Sequence, residues 1–186
     1  GRPPRSTRFP YTPRFRSVAA SKSRPPQEVR EAVEAGVKVI GENYVQEAAE
    51  AQAALGRGVK WHFIGHLQTN KVRRAVEIFD LIETVDSLRL GREIDRRSRE
   101  QNKVMPVLVE INSGREPQKF GAMPEEAESL IRELARLPGV KGEGLMTMGP
   151  EAGNPEDSRS YFRLTKEVFD RLKSLFIPGA AMTSLS

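Results

Sequence analysis

The sequence predicts an α/β fold of the (β/α)8 TIM-barrel kind with about seven of its strands present, and three observations carry that expectation. From Ser17 onward, short apolar β-type runs alternate with amphipathic helical patterns in a single charge-balanced stretch. Repeated β-then-α units imply a parallel sheet covered by helices. Seven such runs fit either a doubly wound open sheet or an interrupted barrel. The third observation favours the barrel: run after run ends in residues too polar for a core, namely Ser21-Lys22, Glu42-Asn43, His66, Asp86-Ser87 and Asn112-Ser113. In a barrel the C-terminal strand ends converge on one mouth, where the active site sits. An open sheet concentrates such residues on fewer strands, at its switch point.

The first run is Ser17 to Lys22; Pro25 and Pro26 then stand where a helix can start. Val29, Ala32 and Val33 share one helical face, and Gly36 ends the helix. Val37 to Asn43 is the second run, leading into a helix through Gln46–Ala54. Trp61 to His66 is the third, followed by Val72, Ala75, Val76 and Phe79 at helical spacing. The fourth, Leu81 to Asp86, is followed by Ser87 as N-cap of the next helix. The fifth, Val107 to Asn112, passes through a loop over Gly114–Gly121 to a helix with Pro124 at N1 and Leu130, Ile131 and Leu134 as its buried stripe. The sixth, Val140 to Met148, precedes Asn154-Pro155-Glu156-Asp157, a helix-start signature, and an apolar face of Phe162, Val168, Phe169 and Leu172. Ala180 to Leu185 is the seventh.

Composition narrows the function. The chain has 186 residues, 38% hydrophobic and 30% charged, as expected of an ordinary globular domain. No apolar run is long enough to span a bilayer. With no cysteine there is no disulfide, thiolate metal site or cysteine nucleophile. The net charge of +5 suggests a nucleic-acid partner until it is located. Five arginines and no acid lie in residues 1–17, so the remainder carries 25 basic and 25 acidic side chains. Residues 1–17, with four prolines and no periodicity, read as a disordered or non-native leader. The fold domain is read as residues 18–186, an incomplete barrel, with neither nucleic acid nor membrane as partner.

Several residues at the run ends can carry chemistry. Lys22 closes the first strand; a lysine there, partly desolvated, is a nucleophile toward an aldehyde, or else a side chain snorkelling at a strand end. His62 and His66 share a strand face; without another histidine or a cysteine a metal site lacks ligands, so His66 reads as a hydrogen-bonded mouth residue and His62 as packing. Asn43, Asp86 and Asn112 either orient a ligand or cap the helices that follow. Met146 and Met148 are core or an apolar wall against a ring. Gly142-Glu143-Gly144 is no dinucleotide fingerprint, because no helix follows it.

Several segments together resemble one family. Val18-Ala19-Ala20-Ser21-Lys22-Ser23-Arg24-Pro25 is similar to the lysine signature of the pyridoxal 5′-phosphate (PLP) homeostasis proteins (the YggS/PROSC type). The segments Gly41-Glu42-Asn43-Tyr44-Val45-Gln46-Glu47-Ala48 and Trp61 through Val72 resemble its two strongest signatures. Val85 to Leu88, Val109 to Gly114, Lys119 to Gly121 and Gly144 to Met148 continue the likeness in order. The resemblance implies a barrel of the alanine racemase N-terminal type, with PLP as cofactor held as a Schiff base on Lys22. It also implies Asn43 and His66 beside the cofactor and Met146 near its ring. Such proteins are cytoplasmic, mostly monomeric PLP carriers or buffers without robust catalytic activity, affecting amino-acid and keto-acid balance. PLP-dependent apoenzymes are the implied recipients. The family pattern also includes an eighth strand with an Arg-Ile-Gly turn that supplies the phosphate cup, and the resemblance implies that these 186 residues lack both. The alternative is a PLP-dependent fold-type III amino-acid racemase, which needs acid/base groups on both faces of the substrate α-carbon.

Overall fold

A computed structural model of the chain describes residues 17–56, 58–149 and 154–186. The reading of a disordered leader therefore falls, but for Ser17, outside the described residues. Seven strands alternate with six α-helices among them: β1 (Ala19–Ala20), α1 (Pro26–Glu34), β2 (Val39–Glu42), α2 (Val45–Leu55), β3 (Lys60–Phe63), α3 (Val72–Ile78), β4 (Leu81–Val85), α4 (Leu88–Glu100), β5 (Met105–Glu110), α5 (Ala127–Leu134), β6 (Val140–Met146), α6 (Arg159–Ser174) and β7 (Ala180–Leu185). Every strand pairs parallel to the next in sequence, so the sheet order is β1-β2-β3-β4-β5-β6-β7. That is the order of a (β/α)8 barrel and not that of a doubly wound sheet, which reverses.

The sheet curls. One cavity of about 760 Å³ is lined from all around it, by Val18 just before β1 and by residues such as His62, Glu83, Leu108 and Thr183 on the strands beyond. Strand alternation divides the side chains accordingly. Outward, Ile40, Trp61, Phe63, Ile82, Val107 and Val109 pack against helix residues including Val29, Ala48, Val72, Ile94, Leu134 and Leu172 in one continuous core. Phe63 meets Phe79 edge-on at 5.1 Å between centroids, a geometry worth about 1 kcal/mol beyond burial. Inward, Leu81, Leu108 and Met146 form a smaller apolar cluster.

Local signals set the helix ends. Ser87 caps α4, its Oγ accepting from the Leu90 N–H at 3.4 Å. The Asn154 Oδ1 accepts from the Glu156 N–H at 3.1 Å and opens the short 3₁₀ turn before α6. Three expectations shift. Pro124 does not begin α5; it lies in a turn where the Met123 N–H donates to the Glu126 carboxylate at 3.1 Å, and the helix starts at Ala127. Phe162 is 50% exposed, and the buried stripe of α6 begins only at Thr165, continuing through Val168, Phe169 and Leu172. β1 is only two residues long: the Ser21 N–H still donates to the Gly41 carbonyl at 3.0 Å, and then Ser23 turns the chain away at φ 58°.

The β6–β7 pairing shifts register between Gly142 and Gly144. A Cβ at Gly144 would sit 1.7 Å from the Ser184 carbonyl oxygen, so only glycine allows the two backbones this approach. We expect Gly144→Ala to lower stability by about 2–3 kcal/mol through overpacking, read as a drop in the urea midpoint. Gly58→Ala, where a Cβ meets nothing within 4 Å, should stay within about 0.5 kcal/mol. Equal behaviour of the two variants would contradict the close approach.

Candidate functional site

The strand ends assemble at one rim, and the ladder says why. The Ile64 N–H donates to the Glu42 carbonyl at 2.9 Å, carrying the β2–β3 pairing beyond the strands and bringing their exits side by side. Gly65 permits this: a Cβ there would lie 2.2 Å from the Asn43 carbonyl oxygen. The Thr84 hydroxyl then donates to the Gly65 carbonyl at 2.5 Å and fixes the β3 exit to β4. Asn43 and His66 thus line a common groove. Asn43 caps nothing, since α2 begins after Tyr44 without a side-chain cap.

Lys22 follows Ser21 at the end of β1 and belongs to the same rim. Its side chain is exposed, which corrects the expectation of a partly desolvated amine. The physical reason is the short strand and the turn at Ser23, with β2 as the sole strand beside β1 among the described residues. No carboxylate lies within ion-pair distance of Lys22 among those residues. Met146 is brought elsewhere: it is 5% exposed, inside the barrel with Leu81 and Leu108, in register with Glu110 of β5. The structure therefore joins Asn43 and His66 directly, and Lys22 through the neighbouring strand. It places Met146 on β6, five strands from the β1 of Lys22 along the sheet, on the interior wall.

Three features escaped the sequence reading. His62 is more than packing, since its Nδ1 lies 2.6 Å from the Glu83 Oε1 inside the barrel. His66 stacks on Phe120, with centroids 3.5 Å apart and an angle of 12°, and its Nδ1 lies 4.0 Å from the Asp86 carboxylate. Phe120 reaches His66 because Asn112 organises the loop between β5 and α5. The Asn112 amide donates to the Glu116 carbonyl at 2.8 Å and its Oδ1 accepts from the Glu116 N–H at 3.1 Å. Asn112 is thus a loop organiser, neither helix cap nor free ligand group. The third feature is a set of buried carboxylates. Glu42, 2% exposed, accepts a hydrogen bond from the Ser21 hydroxyl, yet burial pushes its carboxyl above the ordinary range. Glu110, 8% exposed, is pushed up to about 7 by burial and, secondarily, by the charge of Asp86. Period-two strand patterning would have placed Glu83 and Glu110 inward; their partners are far apart in sequence and gave no signal.

No group of three or more His, Cys, Asp or Glu side chains among the described residues could hold a metal ion. No helix among them is long and apolar enough to cross a membrane.

Glu110 makes stability depend on pH. The folded chain holds this proton up to about pH 7 while a solvated glutamate loses it near 4.5, so between those values the unfolded state binds fewer protons. Stability present below pH 4.5 is lost as pH rises through 7, on the order of 3 kcal/mol. We expect Glu110→Gln to gain on the parent chain across that interval, measured as the difference in urea midpoints at pH 5 and pH 8. A constant difference would mean that Glu110 titrates like a solvated carboxylate.

Residues 26–185 match the family model described as alanine racemase, N-terminal domain. A pyridoxal phosphate homeostasis protein of Aquifex aeolicus is 44% identical over 157 residues, which are 84% of this chain and 69% of that one. Its counterpart in Haemophilus influenzae is 33% identical over 172 residues, 91% of this chain and 72% of that one. Among solved structures, PipY of Synechococcus elongatus with PLP bound superposes with a TM-score of 0.80 at 31% identity, over 91% of this chain and 79% of that one. An alanine racemase of Clostridium difficile, at 19% identity and a TM-score of 0.74, matches 91% of this chain with 45% of its own and shares the fold alone. By this likeness in sequence and in fold, the chain belongs to the family of pyridoxal phosphate homeostasis proteins, built on the N-terminal-domain fold of alanine racemase.

Proposed function

We propose that this protein binds PLP on Lys22 and works in PLP homeostasis as a carrier or buffer of the cofactor, not as an enzyme. The observation that carries the reading is a lysine amine at the C-terminal rim of a barrel, without a carboxylate partner among the described residues. It sits in a chain 44% identical to a named PLP homeostasis protein. The cofactor supplies an aldehyde, and the Lys22 Nζ is the nucleophile that can capture it. Asn43 and His66 stand on the adjacent strand ends to orient the ligand's polar edge, His66 being held flat by Phe120. Residues 18–186 act as the PLP-binding unit in this reading. The protein works as a cytoplasmic monomer and passes PLP to apoenzymes that depend on it.

The racemase reading is supported by fold alone, since the alanine racemases it resembles are under 20% identical. Borohydride reduction of the PLP-loaded protein, followed by peptide mapping, is expected to place the label on Lys22. Lys22→Ala should abolish the label and weaken PLP binding about tenfold or more, near 1.4 kcal/mol. Label on another lysine would overturn the assignment. Alanine racemisation above about 1 s⁻¹, the lower end of ordinary enzymes, would overturn the carrier role.

A further inference from the structure

Beside the rim, on the helix side, the groove between α2 and α3 encloses about 810 Å³. That is the size range of small-molecule sites. Buried Phe63 and Leu67 close its floor, 1% and 2% exposed, and its accessible apolar surface comes from Tyr44, Val45 and Ala49. Tyr44 stands over one side, 53% exposed, its ring free to cover a bound body. The rim is polar and lopsided in charge. Two cations line it, Lys71 and Arg74, against one carboxylate, Glu50. Arg74 is engaged by Glu77 at 2.7 Å, and Glu50 accepts from the Gln46 amide at 3.3 Å. Lys71 has neither an ion pair nor a hydrogen bond through its side chain among the described residues. One unspent positive charge thus sits at the lip of an apolar trough, with the amides of Gln68 and Asn70 beside it.

We propose that this groove is a second small-molecule site, for an amphipathic organic anion. An apolar or aromatic body would lie against Tyr44, Val45 and Ala49, and a carboxylate or phosphate head would pair with Lys71. Charge complementarity decides the class. A cationic ligand would leave Lys71 unpaired and meet it with like charge, and a wholly apolar one would desolvate the rim without compensation. The groove shares Asn43 and His66 with the rim, so its occupant reaches the neighbourhood of Lys22 without using that amine. The site overlaps the rim at Asn43 and His66 but needs neither Lys22 nor PLP, and it is tested without the cofactor.

The test uses the full chain carrying Lys22→Ala, which removes the proposed covalent anchor. Phenyl phosphate and 4-phenylbutyrate are the two probes, followed by amide chemical-shift changes in NMR titrations. Both should perturb residues 43–50 and 63–74; the tighter probe identifies the head group. Lys71→Glu, an exposed substitution, should weaken binding at least about tenfold. Ala49→Leu, which fills the groove, should abolish it while leaving the far-UV circular dichroism unchanged. Benzyl alcohol, with no charge, should bind at least about tenfold more weakly than either anion. Shifts confined to other residues, or affinities unmoved by Lys71→Glu, would overturn the proposal. Failure of the Lys22 labelling experiment would leave this result standing, and the reverse holds too.

Discussion

Parallel hydrogen bonding between consecutive strands is the constraint on which the rest of this structure depends. Because each strand pairs with the next in the same direction, every C-terminal end arrives at the same rim. The ladder runs on past the strands themselves, through Ser21 to Gly41 and Ile64 to Glu42, and so reaches Lys22, Asn43 and His66. Glycine makes this possible at Gly65, where any side chain would collide with the Asn43 carbonyl. The site is thus a product of backbone geometry first and of side-chain chemistry second.

The barrel interior has an unusual character for a protein core. Leu81, Leu108 and Met146 form its apolar part, yet Glu83 and His62 meet in the same interior and the buried Glu110 lies on β5 in register with Met146. Burial without a full set of partners makes these carboxylates costly when ionised, and one oxygen of Glu83 has no hydrogen-bond partner. Burial pushes the Glu110 carboxyl up to about 7; Glu83 answers by holding His62. Glu42 lies on the opposite face of the sheet and is served by Ser21, the residue next to Lys22. The residue before the candidate anchor is therefore tied to β2 by its side chain as well as by its backbone. Lys22 itself stays exposed while its neighbour is fixed.

Rigid neighbours, His66 stacked on Phe120 and a loop drawn in by Asn112, limit where a ligand can lie without enclosing it. The groove beyond Asn43 and His66 extends the same rim towards α2 and α3.

Much of this was legible in the amino-acid order. Alternating apolar runs gave the strands and helices, polar run ends gave the rim, and Ser87 and Asn154 marked helix starts, because each depends on residues within one or two turns of each other. The likeness around Lys22, Asn43 and His66 gave the candidate site. Tertiary structure alone decided which side chains meet. His62 with Glu83, His66 with Phe120 and Asn112 with the 116–119 backbone join different strands or loops through the curl of the sheet. It alone decided, too, that Lys22 is exposed and that the Glu110 carboxyl is pushed up by burial, since burial belongs to the packed whole and has no local period. Sequence determines the order of the strands; how closely they wrap decides how much water each of their ends retains.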